Sequence, residues 1–396
     1  MAGPGRPAQS WRDLPARLDP QVADWLVDAV APGRRPGAWL DDDPPDGLLV
    51  GAQLHGVEGW VRRRAAQAGV VVPGLDAAVH ATLGRHQRAV ADLAAAHAAL
   101  LDGGVPHLVV KGPAVARWYD EPSLRSSVDI DVVVAPARLE AALESLERGG
   151  FELLDANWPL LRRADVHELT LRSASGGAVD LHWSLGPSPM AIDHSPPVEV
   201  LVSRAVPLEV GHVRTAALGD LDALVHLAVH AAASGGHRLL WLADLRAGIA
   251  ATAPDRTAWR EVAGEWGALP AVELMVGRVA RVLGEPEVGE ALAGSSAGTW
   301  ARLDRLATRL SAPERVGTGA GLSRLVARSS RRTARGSASA LAGKSLRRLT
   351  ARSGDTSPDT LADRTSPASA RHPVGGEQGR RDFLSWVRTA QRPGVR

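Results

Sequence analysis

The stretch Leu108–Val134 sets the tightest limit on what this chain can fold into. It reads LVVKGPAVARWYDEPSLRSSVDIDVVV, and near its end two carboxylates, Asp129 and Asp131, stand one residue apart inside an apolar, β-branched run. Such a run reads as a strand, where residues i and i+2 point to the same face. Asp129 and Asp131 then project side by side, while Ile130 and Val132 face the other way. Adjacent anions repel, so this pairing makes sense where a cation lies between them. Upstream, Leu108 to Val110 is a second short apolar strand that runs into Lys111-Gly112. A strand, a glycine turn, a helix and a strand with Asp-x-Asp is an order from which a nucleotide–metal site can be assembled.

The rest of the composition narrows the choices. A chain of 396 residues, 45% of them hydrophobic, can bury a sizeable core. It contains no cysteine, which excludes disulfides, thiolate zinc sites and thiol chemistry. No run approaches the roughly 20 apolar residues of a spanning helix, and MAGPGRPAQSWRDLPARLD lacks the apolar stretch of a signal peptide. These features lead to the expectation of a soluble, cytoplasmic protein. Net charge is only +2. Lys111 and Lys344 are the two lysines among 46 basic residues, the others being arginine. A lysine kept beside a glycine turn in such a chain is either a surface residue or a deliberate point charge.

Read along its length, the chain divides unevenly. Residues 1–47 are rich in Pro, Gly and Asp and read as a flexible segment with one helix from Pro20 to Val30. Residues 48–105 read as a helical lead-in, with helices over 48–66 and 75–101, the second stopped by Gly103-Gly104. Residues 106–190 read as an α/β core: strand 108–110, helix 113–119, strand 129–134 and helix 136–148, with Pro136 suited to a first turn. A hairpin follows, Glu168 to Arg172 and Ala178 to Trp183 around the turn SASGG. On its second strand Asp180 and His182 share a face. Asp180 is either a third carboxylate beside Asp129 and Asp131 or an acid on an edge strand facing water. Residues 191–310 read as a helical domain, with apolar faces from Leu218 onward. His226 and His230 lie four apart on one helix. The Glu of a HExxH zinc site is missing, which favours structural or substrate-contacting histidines. Residues 311–396 form an Arg/Ser-rich, low-complexity tail. Its 321–352 stretch carries nine basic residues and no acid. Such a stretch either touches nucleic acid or an anionic surface, or is a solvated, partly disordered tail. DFLSWVRTAQ (382–391) reads as a short helix that docks back or binds a partner.

The KG turn, Trp118-Tyr119, Arg125, Asp129-Ile130-Asp131, Asp180-Leu181-His182-Trp183, His230 and Trp241-Leu242-Ala243-Asp244-Leu245 follow one another in an order that resembles the bacterial family of uncharacterised nucleotidyltransferases. That family is placed in the DNA polymerase β-like superfamily. The resemblance covers roughly residues 48–310. It implies an α+β fold: a small mixed-sheet nucleotidyltransferase core, flanking N-terminal and C-terminal helical regions, and a disordered basic tail. Two positions depart from the family pattern. Ser126-Ser127-Val128 stand where many relatives carry a glycine, and Pro113 follows the KG turn.

The resemblance implies a metal-dependent transfer of a nucleoside monophosphate from an NTP donor to a hydroxyl-bearing acceptor, a small molecule, peptide or protein. Asp129, Asp131 and Asp180 are the expected catalytic residues and metal ligands, with Mg²⁺ or Mn²⁺ as cofactor. Two ions about 3.5–4 Å apart would stabilise the attacking and leaving oxygens. Lys111, Gly112, Arg125, Ser126 and Ser127 are the expected nucleotide and phosphate contacts. His182, His230 and Asp244 are expected to contact substrate or support the site. Two other readings remain open: a decayed nucleotidyltransferase scaffold acting as a binding protein, and a kinase-like phosphotransferase. The second lacks both a GxxxxGK[ST] loop and an HRD loop.

Overall fold

The computed structural model describes residues 17–31, 39, 43–121, 124–125, 127, 129–164, 166–186, 195–285, 304, 314, 322–329 and 370–390. The apolar, β-branched run that carries Asp129 and Asp131 becomes a middle strand of an α+β fold. We number the strands β1 (His107–Val110), β2 (Asp129–Val134), β3 (Glu152–Leu153), β4 (Glu168–Arg172), β5 (Ala178–His182), β6 (Val206–Val210) and β7 (Val213–Ala217). They form one mixed sheet in the order β3-β4-β5-β2-β1-β7-β6. β2 runs antiparallel to β1 and parallel to β5, and β4 and β5 form an antiparallel hairpin.

A strand inside a sheet with helices on both faces is apolar on both sides, and β2 shows this. Ile130, Val132 and Val134 join Val179 and Leu181 in a core beneath α4 (Leu75–Asp102) and α6 (Leu139–Arg148). Val133, Leu108 and Val110 belong to a second core on the other face. That core is built from α1 (Pro20–Val30), α2 (Leu48–His55), α3 (Glu58–Ala68), α9 (Asp220–Ala233), α10 (Leu239–Thr252) and α12 (Leu269–Leu283). Asp129 and Asp131 therefore lie on the face that the N-terminal and C-terminal helices cover. The remaining helices in chain order are α5 (Gly112–Ala116), α7 (Trp158–Ala164), α8 (Val198–Ser203), α11 (Arg256–Glu265), α13 (Leu322–Ser329) and α14 (Gly376–Ala390).

Several elements differ from the sequence expectation. The single helix expected over 48–66 is two, because Gly56 takes a left-handed conformation (φ 68°) that ends α2. The helix expected over 113–119 stops at Ala116, and that over 136–148 opens with a 3₁₀ turn, Pro136–Arg138. The β6–β7 hairpin was not foreseen, and β7 pairs in parallel with β1, extending the sheet. β5 lies between β4 and β2, so Asp180 is not on an edge strand. α1 is where the sequence put it, but Trp25 and Leu26 are buried in the core rather than part of a loose segment.

The tail is only partly described. Of the basic 321–352 stretch, residues 322–329 form α13, which buries Val326 and Ala327 and whose Ser323 hydroxyl donates to the Gly235 carbonyl at 2.9 Å. The remainder of that stretch lies outside the described residues. α14 docks back onto the sheet face opposite the carboxylates. Phe383 packs 5.4 Å from Trp158 and 5.8 Å from Trp183, ring centre to ring centre. Arg380 donates to both oxygens of Glu147 at 2.8 Å. Among the described residues no helix is long and apolar enough to cross a membrane.

Phe383→Ala is expected to remove about 3–5 kcal/mol of packing from α14. Amide exchange should quicken across 376–390, while protection in β2 and β5 stays unchanged.

Candidate active site

Register brings the acidic residues together. In the parallel β2–β5 ladder Asp131 stands opposite Asp180, with Asp129 opposite Ala178. In the β4–β5 hairpin Thr170 stands opposite Asp180 and Glu168 opposite His182. Residues paired across a ladder share a face. Asp129, Asp131, Asp180, His182 and Glu168 thus form one charged row on three adjacent strands.

Lys111 meets this row from the end of β1. Its Nζ lies 2.6 Å from Asp131 Oδ1. The residue adopts φ 54° and ψ −151°, a region comfortable only for glycine, where a side chain costs about 1–3 kcal/mol. Gly112 follows at φ 32°, and a Cβ there would meet Ser127 Oγ at 2.9 Å. The turn therefore presses closely on Ser127. Pro113 occupies the first turn of α5, as a proline there should.

His182 continues the row. Its Nε2 is 2.9 Å from the same Asp131 Oδ1, and its Nδ1 is 3.2 Å from Glu168 Oε2. Both ring nitrogens face carboxylates, an arrangement that favours the protonated ring. Burial pushes the His182 pKa down, but Glu168 and the Asp131 hydrogen bond raise it overall. The result is a chain of alternating charge, Lys111–Asp131–His182–Glu168. Burial pushes Asp131 up, yet Lys111 and His182 hold it well below the usual carboxylate range. Burial likewise works against the Lys111 ammonium, and Asp131 and Glu168 raise it. The two outer carboxylates behave differently. Asp129 is raised by burial and by Asp131, against Lys111 and Arg125. Asp180 is pushed up to about 6 by burial, then by Glu168 and Asp131.

The helical region closes over this row. Asp244 of α10 accepts from Arg125 Nε at 2.7 and 2.9 Å and from the Tyr119 hydroxyl at 2.8 Å. Burial raises the Asp244 carboxyl, with Arg125 working against it. Arg125 also bears on Asp129, whose carboxyl it helps to lower. On α9, His226 is buried and His230 half-buried, with ring centres 6.4 Å apart. His226 stacks on Trp266 at 6.0 Å, and His230 meets Trp241 edge-on at 5.8 Å. Burial, then Lys111, pushes His230 down to about 3 and His226 well below its ordinary value. Both rings are neutral. Ser127 donates its backbone N–H to His86 Nδ1 at 3.1 Å, while its buried hydroxyl has no hydrogen-bond partner among the described residues. Ser126 lies outside the described residues.

The model of the uncharacterised nucleotidyltransferase family matches residues 41–284. The chain belongs to that family. No curated protein matches it. The nucleotidyltransferase segment starts slightly before the resemblance read from the sequence and stops at Gly284, the left-handed cap of α12. It contains every group of the charged row, together with Arg125, Asp244 and the α9 histidines.

The nucleotidyltransferase carboxylates match a divalent cation in donor type, being hard oxygens on one face. Asp129 and Asp180 both hold protons more tightly than usual, first through burial and then through the neighbouring carboxylates. They are not gathered into a finished cage. Among the described residues no three His, Asp or Glu side chains form a metal-holding group, and Asp131 Oδ1 is taken by Lys111 and His182. Sequence reading missed Glu168 and His86. Glu168 was within reach, because a turn centred on Ser175 sets residue 168 opposite 182. His86 carried no signal, since its partner lies 41 residues away.

Asp244→Ala should cost about 3–5 kcal/mol in denaturant unfolding, because Arg125 stays buried after losing that carboxylate. The α9 histidines make stability pH-dependent. The unfolded chain protonates His230 near 6.5 and the folded chain only near 3. Its contribution is complete above 6.5 and is lost as pH falls through that window. His182, raised when folded, acts in the opposite sense. His230→Gln should therefore show a smaller fall in Tm between pH 7 and pH 5 than the unchanged protein.

Proposed function

We propose that this protein transfers a nucleoside monophosphate from a nucleoside triphosphate to a hydroxyl-bearing acceptor, with Mg²⁺ or Mn²⁺ as cofactor. The observation that carries the reading is the row of Asp129 and Asp131 on β2 with Asp180 beside them on β5, flanked by the cations of Lys111 and Arg125. A site that binds a polyanion needs such cations, and one that binds it as a metal complex needs such carboxylates.

In this scheme Asp129 and Asp131 hold the divalent cation, which supplies charge neutralisation to the triphosphate when bound. Lys111 and Arg125 neutralise the phosphate oxygens and the departing pyrophosphate. Gly112 and Ser127 line the phosphate approach, with the unpartnered Ser127 hydroxyl as a donor. The acceptor oxygen forms a bond to the α-phosphorus as the bond from that phosphorus to the α–β bridging oxygen breaks. The bond electrons leave with pyrophosphate, and the acceptor's proton passes to an Asp180 carboxylate oxygen. Asp244 holds Arg125 in place, and His230 offers the substrate a neutral hydrogen-bonding ring.

A second reading, a binding protein on an inactive scaffold, has one observation in its favour: Asp131 is already neutralised by Lys111 and His182. Thermal unfolding separates the two. The protein and Asp129→Asn are melted with ATP, GTP, CTP and UTP, each with and without Mg²⁺. A nucleotide at about 100 times its Kd stabilises by about 2.7 kcal/mol. The expected result is a Mg²⁺-dependent rise for at least one nucleotide, absent in Asp129→Asn, followed by transfer of label from that α-labelled nucleotide. Without ligand, Asp129→Asn should be at least as stable as the parent, since it relieves repulsion with Asp131. A folded protein that responds to no nucleotide leaves the binding-scaffold reading.

A further inference from the structure

We infer that the carboxylate row takes one divalent cation rather than two, because the Lys111 ammonium fills the Asp131 oxygen that a second would need. The inference rests on the nucleotidyl-transfer reading and departs from the two-ion, three-carboxylate arrangement expected from the sequence.

A carboxylate oxygen accepts in two lone-pair directions. Asp131 Oδ1 already faces two donors, Lys111 Nζ at 2.6 Å and His182 Nε2 at 2.9 Å. It has no lone pair left for a metal. His182 reaches it from β5, the strand that carries Asp180, and Lys111 from the end of β1, so this oxygen is filled from the strands on both sides of β2. Asp131 Oδ2 and the Asp129 carboxylate remain, which is a set for one ion.

Four further observations support Lys111 in this role. Its side chain is 15% exposed, so the ammonium is held inside the site rather than swinging in solvent. Its backbone sits at φ 54°, a strained conformation that persists only where the surroundings impose it. The turn behind it is closed by Gly112 against Ser127 and by Pro113 in α5. Finally, it is one of two lysines among 46 basic residues. A compact ammonium can take the place of a small cation between carboxylates, whereas a planar guanidinium would spread over several of them. Asp180 is then free of metal and available to the acceptor's proton.

The test counts ions. The full chain is titrated with Mn²⁺ in the presence of the α,β-methylene analogues of ATP, GTP, CTP and UTP in turn. Bound Mn²⁺ is read by electron paramagnetic resonance, where two ions within about 4 Å of each other give a spin-coupled spectrum. One uncoupled Mn²⁺ per chain is expected, and a coupled pair in Lys111→Met, whose side chain is of similar length and uncharged. Two coupled ions in the unaltered protein overturn the inference and leave nucleotidyl transfer standing. A single ion in folded Lys111→Met also overturns it, since the lysine then excludes nothing. Should Lys111→Met fail to fold, the count in the unaltered protein still decides. No bound Mn²⁺ with any analogue sinks the nucleotidyl-transfer reading, and this inference with it.

Discussion

Asp131 is a buried anion in the middle of a sheet, and much of the site is arranged to make that tolerable. An isolated buried carboxylate would simply take up a proton. Asp131 remains ionised because neighbouring strands bring charge to it: Lys111 from the end of β1 and His182 from β5, with Glu168 of β4 raising the His182 pKa. The strand order β4-β5-β2-β1 is what makes this chain of charges contiguous. A one-residue slip of β5 against β2 would turn Asp180 and His182 into the apolar core on the other face. Val179 and Leu181, fully buried there, oppose that slip.

The helices that cover the row contribute charge selectively. α10 supplies Asp244, which is buried and holds Arg125 and Tyr119 from a distance of more than a hundred residues in sequence. α9 supplies His226 and His230, which stay uncharged because they are buried and, after that, because Lys111 lies near them. The face above the carboxylates thus carries two fixed cations and two neutral, hydrogen-bonding rings. Such a surface suits a ligand that brings its own negative charge, and it leaves apolar edges, Trp241 and Trp266, beside the histidines.

Legibility followed the range of the interactions. Asp-x-Asp in a β-branched run and the hairpin around SASGG are local patterns, and both strands formed where the sequence put them. The face shared by Asp180 and His182 followed from period two alone. The β6–β7 hairpin was equally local. Leu208 and Val210 alternate with Glu209, and Gly211-His212 fills a two-residue turn with glycine first at φ 59°. It was overlooked because the strong helical pattern after Leu218 dominated the reading of that region. The Arg125–Asp244 pair is another matter. Its partners are 119 residues apart, and no periodicity links them; only the likeness to a known family singled out both. The capping of Asp131 by Lys111 lies between these cases. Lys111 was legible as a point charge, but its target depends on the antiparallel pairing of β1 with β2, which sets Val110 opposite Asp131.

That pairing also explains why the strain at Lys111 is sustained. Val110 is held in the ladder, and α5 must start at once so that Ala114 and Val115 reach their buried positions. The chain therefore reverses within Lys111-Gly112, where both residues take positive φ, 54° and 32°, and only the second is a glycine. Two glycines would ease the turn and leave Asp131 without its cation. The ion pair at 2.6 Å, inside the protein where solvent screens little, offsets a backbone cost of about 1–3 kcal/mol. Strain and charge are thus coupled at one residue. Removing the carboxylate at 131 takes away the ion pair that offsets this strain, while the turn still imposes it.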